Sequence, residues 1–249
     1  MVFSSSELKR ESRGLLTGKY GVFTGALVLI LLFSYFSGIL TDYISVSTHS
    51  TFMVFAAGII LLLFRFLMNA GISLMCLQNA RLQQVKTGGL FAVFSIHPDK
   101  LILITLYTIL MIFVCLIPLI TTWVISFGRL PVETRSETTV LFLLLAAFIV
   151  SIVLLFYVLA GISQVYYLFF DKPNRSVPDL IRESRSLMSA NRLRWVKLQL
   201  SFAGMILLCA LTFGLGLLWV IPYIRMTNTL FYLSLHGETA GPEGFGGEE

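Results

Sequence analysis

Residues 141–159 are nineteen consecutive positions without a formal charge, and most of them are Leu, Ile, Val, Phe or Ala. A helix of about 20 such residues spans the hydrocarbon core of a bilayer. Over the whole chain 57% of residues are hydrophobic and 12% are charged. About a quarter of residues are charged in soluble domains. The sequence therefore excludes an ordinary soluble domain and predicts an all-α, polytopic membrane protein.

Apolar segments of spanning length recur along the chain. We predict six spans, at residues 21–41, 51–77, 101–127, 140–168, 197–213 and 217–235. The last two are separate because one helix over both would be about 58 Å long, nearly twice the ~30 Å hydrocarbon layer. Gly214 and Gly216 supply the turn between them. The first apolar stretch is too long for a signal peptide, so we expect it to be retained.

Lys and Arg residues are distributed unevenly between the two sides of these spans. Fourteen lie before span one, between spans two and three, or between spans four and five. The opposite loops contain two, Arg129 and Arg135. The positive-inside rule therefore places both termini in the cytoplasm. Residues 237–249 are rich in Gly and Glu, which predicts a disordered, acidic cytoplasmic tail.

Two short sequences each occur twice. Arg-Glu-Ser-Arg begins at Arg10 and at Arg182, and Ala-Gly-Ile-Ser begins at Ala70 and at Ala160. In span six, Ile224-Arg225 takes the place of Ile-Ser. We interpret this pattern as a triplicated unit of interfacial helix, outward span and return span, arranged about a pseudo-threefold axis. The single membrane domain, 1–236, would then contain three hairpin units, at about 7–81, 87–172 and 178–236.

Residues 178–190 are predicted to form an amphipathic helix on the inner leaflet. Ser176 can cap it, Pro178 suits its first turn, and Asp179 favours the positive end of the helix dipole. Basic side chains of this region would face lipid headgroups, namely Arg182, Arg185, Arg192 and Arg194. Both plain anchoring and a specific headgroup site are consistent with this pattern.

Several segments resemble a known family. They are the block from Thr212 to Tyr223 (TFGLGLLWVIPY) with the following Phe231-Tyr232, the segment from Pro178 to Met188, and the stretch from Glu7 to Tyr20. Together they resemble bacterial membrane proteins of the domain-of-unknown-function 975 family. The resemblance implies a six-helix protein of the bacterial inner membrane, with no established activity or catalytic residues. Arg225 departs from the uncharged polar residue expected there.

Two arginines lie within the predicted spans. Arg65 is near the middle of span two, with Asn69 one turn later on the same face. Arg225 follows Pro222 in span six, and Asn228 continues its polar stripe. Arg65 could be satisfied by Asn69, backbone carbonyls or tyrosine hydroxyls, and Arg225 could extend to the inner headgroups. If the two arginines share a cavity, they would favour a phosphate group, which guanidinium binds in a bidentate manner.

The sequence contains no recognisable enzymatic motif, and its three histidines and three cysteines do not have metal-ligand spacing. We therefore expect no catalytic residues, metal, cofactor or nucleic-acid partner. The first hypothesis is a non-enzymatic protein that binds or moves an anionic amphiphile, such as a lipid or polyprenyl phosphate. The second is an accessory or scaffold subunit of a membrane protein complex. The first requires a polar cavity with Arg65 on its wall, whereas the second does not.

Overall fold

The computed structural model describes residues 4–128 and 137–238. Within these ranges the chain is helical and contains no strand, as predicted. In chain order the helices are α1 (Ser5–Leu16), α2 (Tyr20–Thr48), α3 (Thr51–Ala80), a 3₁₀ helix (Thr87–Ser95), α4 (Pro98–Gly128), α5 (Glu137–Ile162), α6 (Val165–Asp171), α7 (Val177–Ser189), α8 (Arg192–Leu200), α9 (Ala203–Leu211) and α10 (Leu217–Leu235).

Five helical stretches are long and apolar enough to cross a membrane. They are Tyr20–Thr48, Thr51–Ala80, Pro98–Ile125, Thr138–Asp171 and Arg192–Leu211. The prediction of a helical, polytopic membrane protein is therefore confirmed at this level. The predicted sixth span coincides with α10 but is not among the five. Polar residues such as Arg225 and Asn228 lower the hydropathy of this helix, so six spans stay a prediction.

The first and third predicted interfacial helices begin with matching serine caps. In α1, the Ser4 Oγ accepts a hydrogen bond from the backbone N–H of Glu7, whose carboxylate accepts one in return from the backbone N–H of Ser4. In α7, the Ser176 Oγ accepts from the backbone N–H of Asp179. The predicted cap of 178–190 is thus confirmed, and its position on a leaflet stays a prediction. The middle interfacial segment is a 3₁₀ helix instead of an amphipathic α-helix.

The helices are packed most tightly at one end of the molecule. The buried residues of α2 all lie in its first half, between Phe23 and Ile30, and those of α3 lie in its second half, from Leu67 onward. Helix α1 joins this end, because the Asn79 amide donates to the backbone carbonyl of Leu15 at 3.0 Å. We call this end the polar pole, since the predicted cytoplasmic loops meet there.

Ion pairs connect the helix ends at the polar pole. Arg81, which follows α3, forms a bidentate pair with Asp171 at the end of α6, with distances of 2.8 and 3.1 Å. Asp171 also accepts a hydrogen bond from the Tyr232 hydroxyl at 2.6 Å, and Arg81 pairs with Glu238 at 3.2 Å. These contacts tie α3, α6 and α10 together. Glu238 belongs to the predicted acidic tail, and the rest of that tail, residues 239–249, lies outside the described part of the chain. Arg129 and Arg135 also lie outside the described residues.

Helices α9 and α10 form a short hairpin. Its turn contains Phe213 and Gly214, both with positive φ, as the two-glycine sequence predicts. Pro222 lacks the N–H that would bond the Leu218 carbonyl, and the Thr24 hydroxyl of α2 donates to that carbonyl instead, at 3.3 Å. Helix α10 is therefore fastened to α2 at the backbone carbonyl that the proline leaves without a helical partner.

Candidate functional site

Arg65 lies at the centre of α3, fifteenth of its thirty residues. The residue is exposed, and among residues 4–128 and 137–238 its guanidinium has no hydrogen-bond or ion-pair partner. The Asn69 amide donates to the backbone carbonyl of Arg65 at 3.0 Å, so it does not neutralise the guanidinium. The tyrosines expected as partners of Arg65 include Tyr107 and Tyr157. The structure places the Tyr107 hydroxyl beside Arg185 and the Tyr157 ring beside Arg192 instead.

Arg225 and Asn228 occupy the polar stripe of α10. Arg225 is half-buried, and no described residue forms a hydrogen bond or ion pair with its guanidinium. The Asn228 side-chain oxygen accepts a hydrogen bond from the Gln199 amide of α8 at 2.5 Å. That oxygen keeps a second lone pair, and no described residue accepts a hydrogen bond from the NH₂ group of Asn228. Arg225 and Asn228 thus present hydrogen-bond donors, from the guanidinium and from the side-chain amide.

These four residues line two adjoining cavities. The first, of about 700 Å³, lies among α3, α4, α5, α6, α8 and α10. The second, of about 660 Å³, lies among α2, α3, α10 and the turn between α9 and α10. The residues shared by both walls are Arg65, Asn69, Arg225 and Asn228. Volumes of this size are typical of small-molecule sites. The structure therefore brings together all four predicted anion-binding residues at the boundary between two cavities.

The two cavities differ in the rest of their walls. The first, here named the polar cavity, also presents hydroxyl and indole groups, from Ser73, Thr108, Ser163, Tyr166, Tyr167 and Trp195. The second, here named the apolar cavity, is otherwise lined by Gly214 and by hydrophobic side chains, from Leu27, Ile30, Leu31, Phe213, Leu215, Leu217, Leu218, Ile221 and Ile224. The polar cavity thus has hydroxyl-bearing residues that the apolar cavity lacks, although hydrophobic side chains such as Leu62 and Phe66 line it as well.

No carboxylate balances the two arginines. Among the described residues that line either cavity there is no Asp or Glu. An arginine at mid-membrane costs about 2.5–3.5 kcal/mol on insertion scales, so it requires water, a polar partner or an anion. The walls therefore favour a negatively charged group.

Trp195 lines the polar cavity, but its indole N–H is covered by the protein and has no hydrogen-bond partner among the described residues. An unpaired buried donor costs about 1–3 kcal/mol.

The four arginines predicted to contact headgroups lie apart from both cavities. Arg185 donates to the Tyr107 hydroxyl, the Arg192 guanidinium lies 4.1 Å from the centre of the Tyr157 ring, and Arg194 lies 5.2 Å from that of Phe231. Arg182 is exposed. Three of the four thus pack on aromatic rings of the protein. Their contacts with lipid headgroups stay a prediction.

Sequence reasoning did not assign the hydroxyl groups of the polar cavity to the site. The available signal was the repeated Ala-Gly-Ile-Ser sequence, because its two serines, Ser73 and Ser163, line the polar cavity together with Arg225. Arg225 is the residue that takes the serine's place in the third unit. Trp195 and Thr108 have no comparable sequence signal, because only the tertiary packing brings α8 and α4 to this cavity.

Within the described ranges, no group of three or more His, Cys, Asp or Glu side chains is placed to hold a metal ion. Cys76, Cys115 and Cys209 are buried free thiols.

Long apolar helices and a polar cavity among them define an α-helical membrane protein. The chain belongs to the family described as "Protein of unknown function (DUF975)", which matches residues 1–239. The predicted family resemblance is thereby confirmed over nearly the whole chain. Neither a curated protein nor a solved structure matches the sequence.

Proposed function

We propose that this protein binds, and moves within the membrane, an anionic amphiphile such as a lipid or polyprenyl phosphate, without catalysing a reaction on it. The observation that carries the proposal is the placement of two unpaired arginines, Arg65 and Arg225, on the walls of both cavities. Guanidinium groups bind phosphate oxygens through parallel hydrogen bonds, which makes phosphate a suitable ligand. A ligand at this boundary would reach the polar and the apolar cavity at once, as an amphiphile requires.

The cavity favours this function over the scaffold alternative. The scaffold hypothesis requires no internal polar space, whereas ligand binding requires a polar cavity with Arg65 on its wall. The structure has such a cavity, and the Arg65 guanidinium is not satisfied by any described residue. A role as an accessory subunit does not by itself explain an unpaired charge at the centre of α3.

We further propose that the chain lies in the bacterial inner membrane, with its units as three hairpins and both termini in the cytoplasm. Fourteen Lys and Arg residues in the loops of one side support this orientation. Contacts at the polar pole also support it, because α1 meets α3 through Asn79 and Glu238 meets α3 through Arg81. The first and last described segments thus lie at the same end of the molecule.

The contacts of the three proposed interfacial helices are consistent with a pseudo-threefold repeat. Ser12 of α1 donates to Thr227 of α10, Ser184 of α7 donates to the Gly161 carbonyl of α5, and the 3₁₀ helix packs on Gly71 of α3. Each segment therefore packs on the return helix of the preceding unit, and the first packs on that of the last. Such a cyclic order is expected of three units around one axis.

The proposal predicts that Arg65→Gln and Arg225→Gln each weaken the binding of anionic lipid by about tenfold or more, because a charged hydrogen-bonded pair is lost. The measurement is native mass spectrometry of the purified protein with added phosphatidic acid. Glutamine keeps a long polar side chain, so the comparison isolates the charge.

Arg10→Gln is the matched control, since Arg10 is an exposed arginine outside both cavities and outside the set predicted to contact headgroups. Its binding of phosphatidic acid should equal that of the wild type. Equal lipid retention by all three variants would contradict the proposed function and assign Arg65 and Arg225 structural roles.

A further inference from the structure

We infer that the group bound between Arg65 and Arg225 is a phosphate monoester, a terminal phosphate with two negative charges, and not the singly charged phosphate diester found in common bilayer lipids. The inference rests on the proposed function, in which an anionic amphiphile binds these two arginines. The charge of the site and the geometry of its donors both support a monoester.

The site carries two positive charges that the protein does not neutralise. Neither guanidinium has a hydrogen-bond or ion-pair partner among residues 4–128 and 137–238, and no Asp or Glu of these ranges lines either cavity. A singly charged ligand would leave one of the two arginines uncompensated, whereas a phosphate monoester carries nearly two charges at about pH 7. Because charges interact strongly away from bulk water, a ligand that balances both arginines is favoured.

The paired donors of arginine also distinguish the two classes of phosphate. A guanidinium donates two parallel hydrogen bonds to two terminal oxygens of one phosphate, which together form an O–P–O edge. A phosphate diester has two terminal oxygens and therefore one such edge, which a single arginine occupies. A phosphate monoester has three terminal oxygens and three edges, so two arginines can each bind one.

The two arginines reach the site from different helices. Arg65 belongs to α3 and Arg225 to α10, and both residues line both cavities. Asn228 lines the same two walls, and no described residue accepts a hydrogen bond from its NH₂ group. Two guanidinium groups and one amide are thus available to the three terminal oxygens of a monoester.

The test compares two lipids that differ by one methyl group, phosphatidic acid and its methyl ester phosphatidylmethanol, with identical acyl chains. The ester has one charge and one terminal oxygen fewer at almost the same size. The measurement is native mass spectrometry of the full-length protein at about pH 8, above the second pKa of about 6 of a phosphate monoester. Phosphatidic acid should bind about tenfold or more tightly than phosphatidylmethanol, because the ester loses charged hydrogen bonds.

Arg65→Gln and Arg225→Gln should each reduce this preference to about threefold or less, because one remaining guanidinium needs only one charge and one O–P–O edge, which both lipids supply. Arg10→Gln is the matched control and should keep the wild-type preference, since Arg10 is exposed and lines neither cavity.

Inorganic phosphate, added as a competitor, distinguishes an amphiphile from a free phosphate. It has the same doubly charged form but no hydrocarbon chain, so it should displace phosphatidic acid poorly. Efficient displacement would support a site for doubly charged phosphate and contradict the amphiphile of the proposed function.

The inference is overturned if the wild-type protein binds phosphatidylmethanol as tightly as phosphatidic acid, a comparison that does not depend on any variant. It is also overturned if the full preference survives in both Arg65→Gln and Arg225→Gln. Failure of the inference alone would show as weaker binding of both lipids in these variants without any preference in the wild type. Failure of the proposed function would show as unchanged binding of phosphatidic acid in the same variants.

Discussion

At the scale of single residues, Glu183 on α7 joins two cations of the preceding loop. Its carboxylate accepts a hydrogen bond from Lys172 and another from Arg175, the latter at 2.8 Å. The bond from Lys172 is the main reason why the pKa of Glu183 is lowered from its ordinary value, with the charges of both cations adding to the effect. A lowered pKa means that the folded state favours the charged carboxylate.

We therefore expect Glu183→Gln to lower the melting temperature at about pH 7 and to matter little at about pH 3. The stabilisation from Glu183 is present above its ordinary pKa and is lost as the pH falls through the lowered folded-state pKa. Thermal unfolding in detergent at both pH values measures this difference. Asp42→Asn is the control, because no described residue forms a hydrogen bond or ion pair with the exposed Asp42 carboxylate. A melting-temperature difference that does not change with pH would refute the assignment.

Gly71 shows how close two segments can approach where a side chain is missing. A Cβ atom at this position would lie 2.5 Å from the backbone oxygen of Leu90 in the 3₁₀ helix. The matching glycine of the other Ala-Gly-Ile-Ser sequence, Gly161, has more space, because its nearest neighbour would be the flexible Arg192 side chain at 3.6 Å. The glycines of the two identical Ala-Gly-Ile-Ser sequences therefore lie in different packing environments.

Gly71→Ala should destabilise the protein by about 1–3 kcal/mol, because a backbone segment must move to admit the methyl group. Gly161→Ala should have a much smaller effect, since a side chain can adjust. Melting temperatures of the two variants in the same detergent test this contrast. Equal losses would show that the 3₁₀ helix does not pack on α3 as described.

At the scale of helices, the hairpin of α9 and α10 is shorter than its neighbours. Its turn packs beside Leu27 and Leu31 on α2, and α2 continues for about 26 Å beyond Leu31, to Thr48. The helix before the turn is interrupted at Ser201, whose carbonyl accepts a hydrogen bond from Lys9 of α1 at 3.2 Å. Only nine residues, Ala203–Leu211, continue from there, advancing about 14 Å. The whole stretch Arg192–Leu211 is nevertheless long and apolar enough to cross a membrane, so the depth of the hairpin turn is a point for experiment.

A cysteine placed at Phe213 tests this geometry, in a chain whose native cysteines are replaced by alanine. If α9 and α10 cross the bilayer as the proposed third hairpin, the thiol should react with a membrane-impermeant maleimide from the Ser47 side, whereas a turn within the hydrocarbon layer would resist the reagent from either side. Cysteines at Ser47, near the far end of α2, and at Ser189, at the end of α7, are controls that should react from opposite sides. Rapid labelling of position 213 from the Ser47 side would show that the hairpin spans the bilayer.

At the scale of the whole molecule, hydropathy and capping predict where the helices begin and end. They do not predict how deeply each helix lies in the membrane. The predicted segment 217–235 coincides with α10, and the predicted cap at Ser176 is confirmed. These features depend on local sequence. The interruption of the fifth predicted span at Ser201 was missed, because a contact with Lys9, far away in the chain, accompanies it.

The sequence predicts only part of the candidate site, because the rest depends on contacts between residues that are distant in the chain. A charge in an apolar segment marks Arg65 and Arg225 as unusual, whatever the fold. Whether they share a cavity depends on how α3 and α10 cross, which no local pattern encodes. Apart from Ser73 on α3, the hydroxyls and Trp195 of the polar cavity come from α4, α6, α8 and the turn between α5 and α6, so only the assembled structure groups them.

The concentration of buried side chains at the polar pole has a consequence for the surrounding lipid. The outer halves of α2 and α3 contain no buried residue, and large hydrophobic side chains such as Phe36 and Phe55 are exposed there. In a membrane those side chains would be covered by acyl chains instead of protein, so detergent that strips lipid from this end exposes apolar surface that the polar pole does not have.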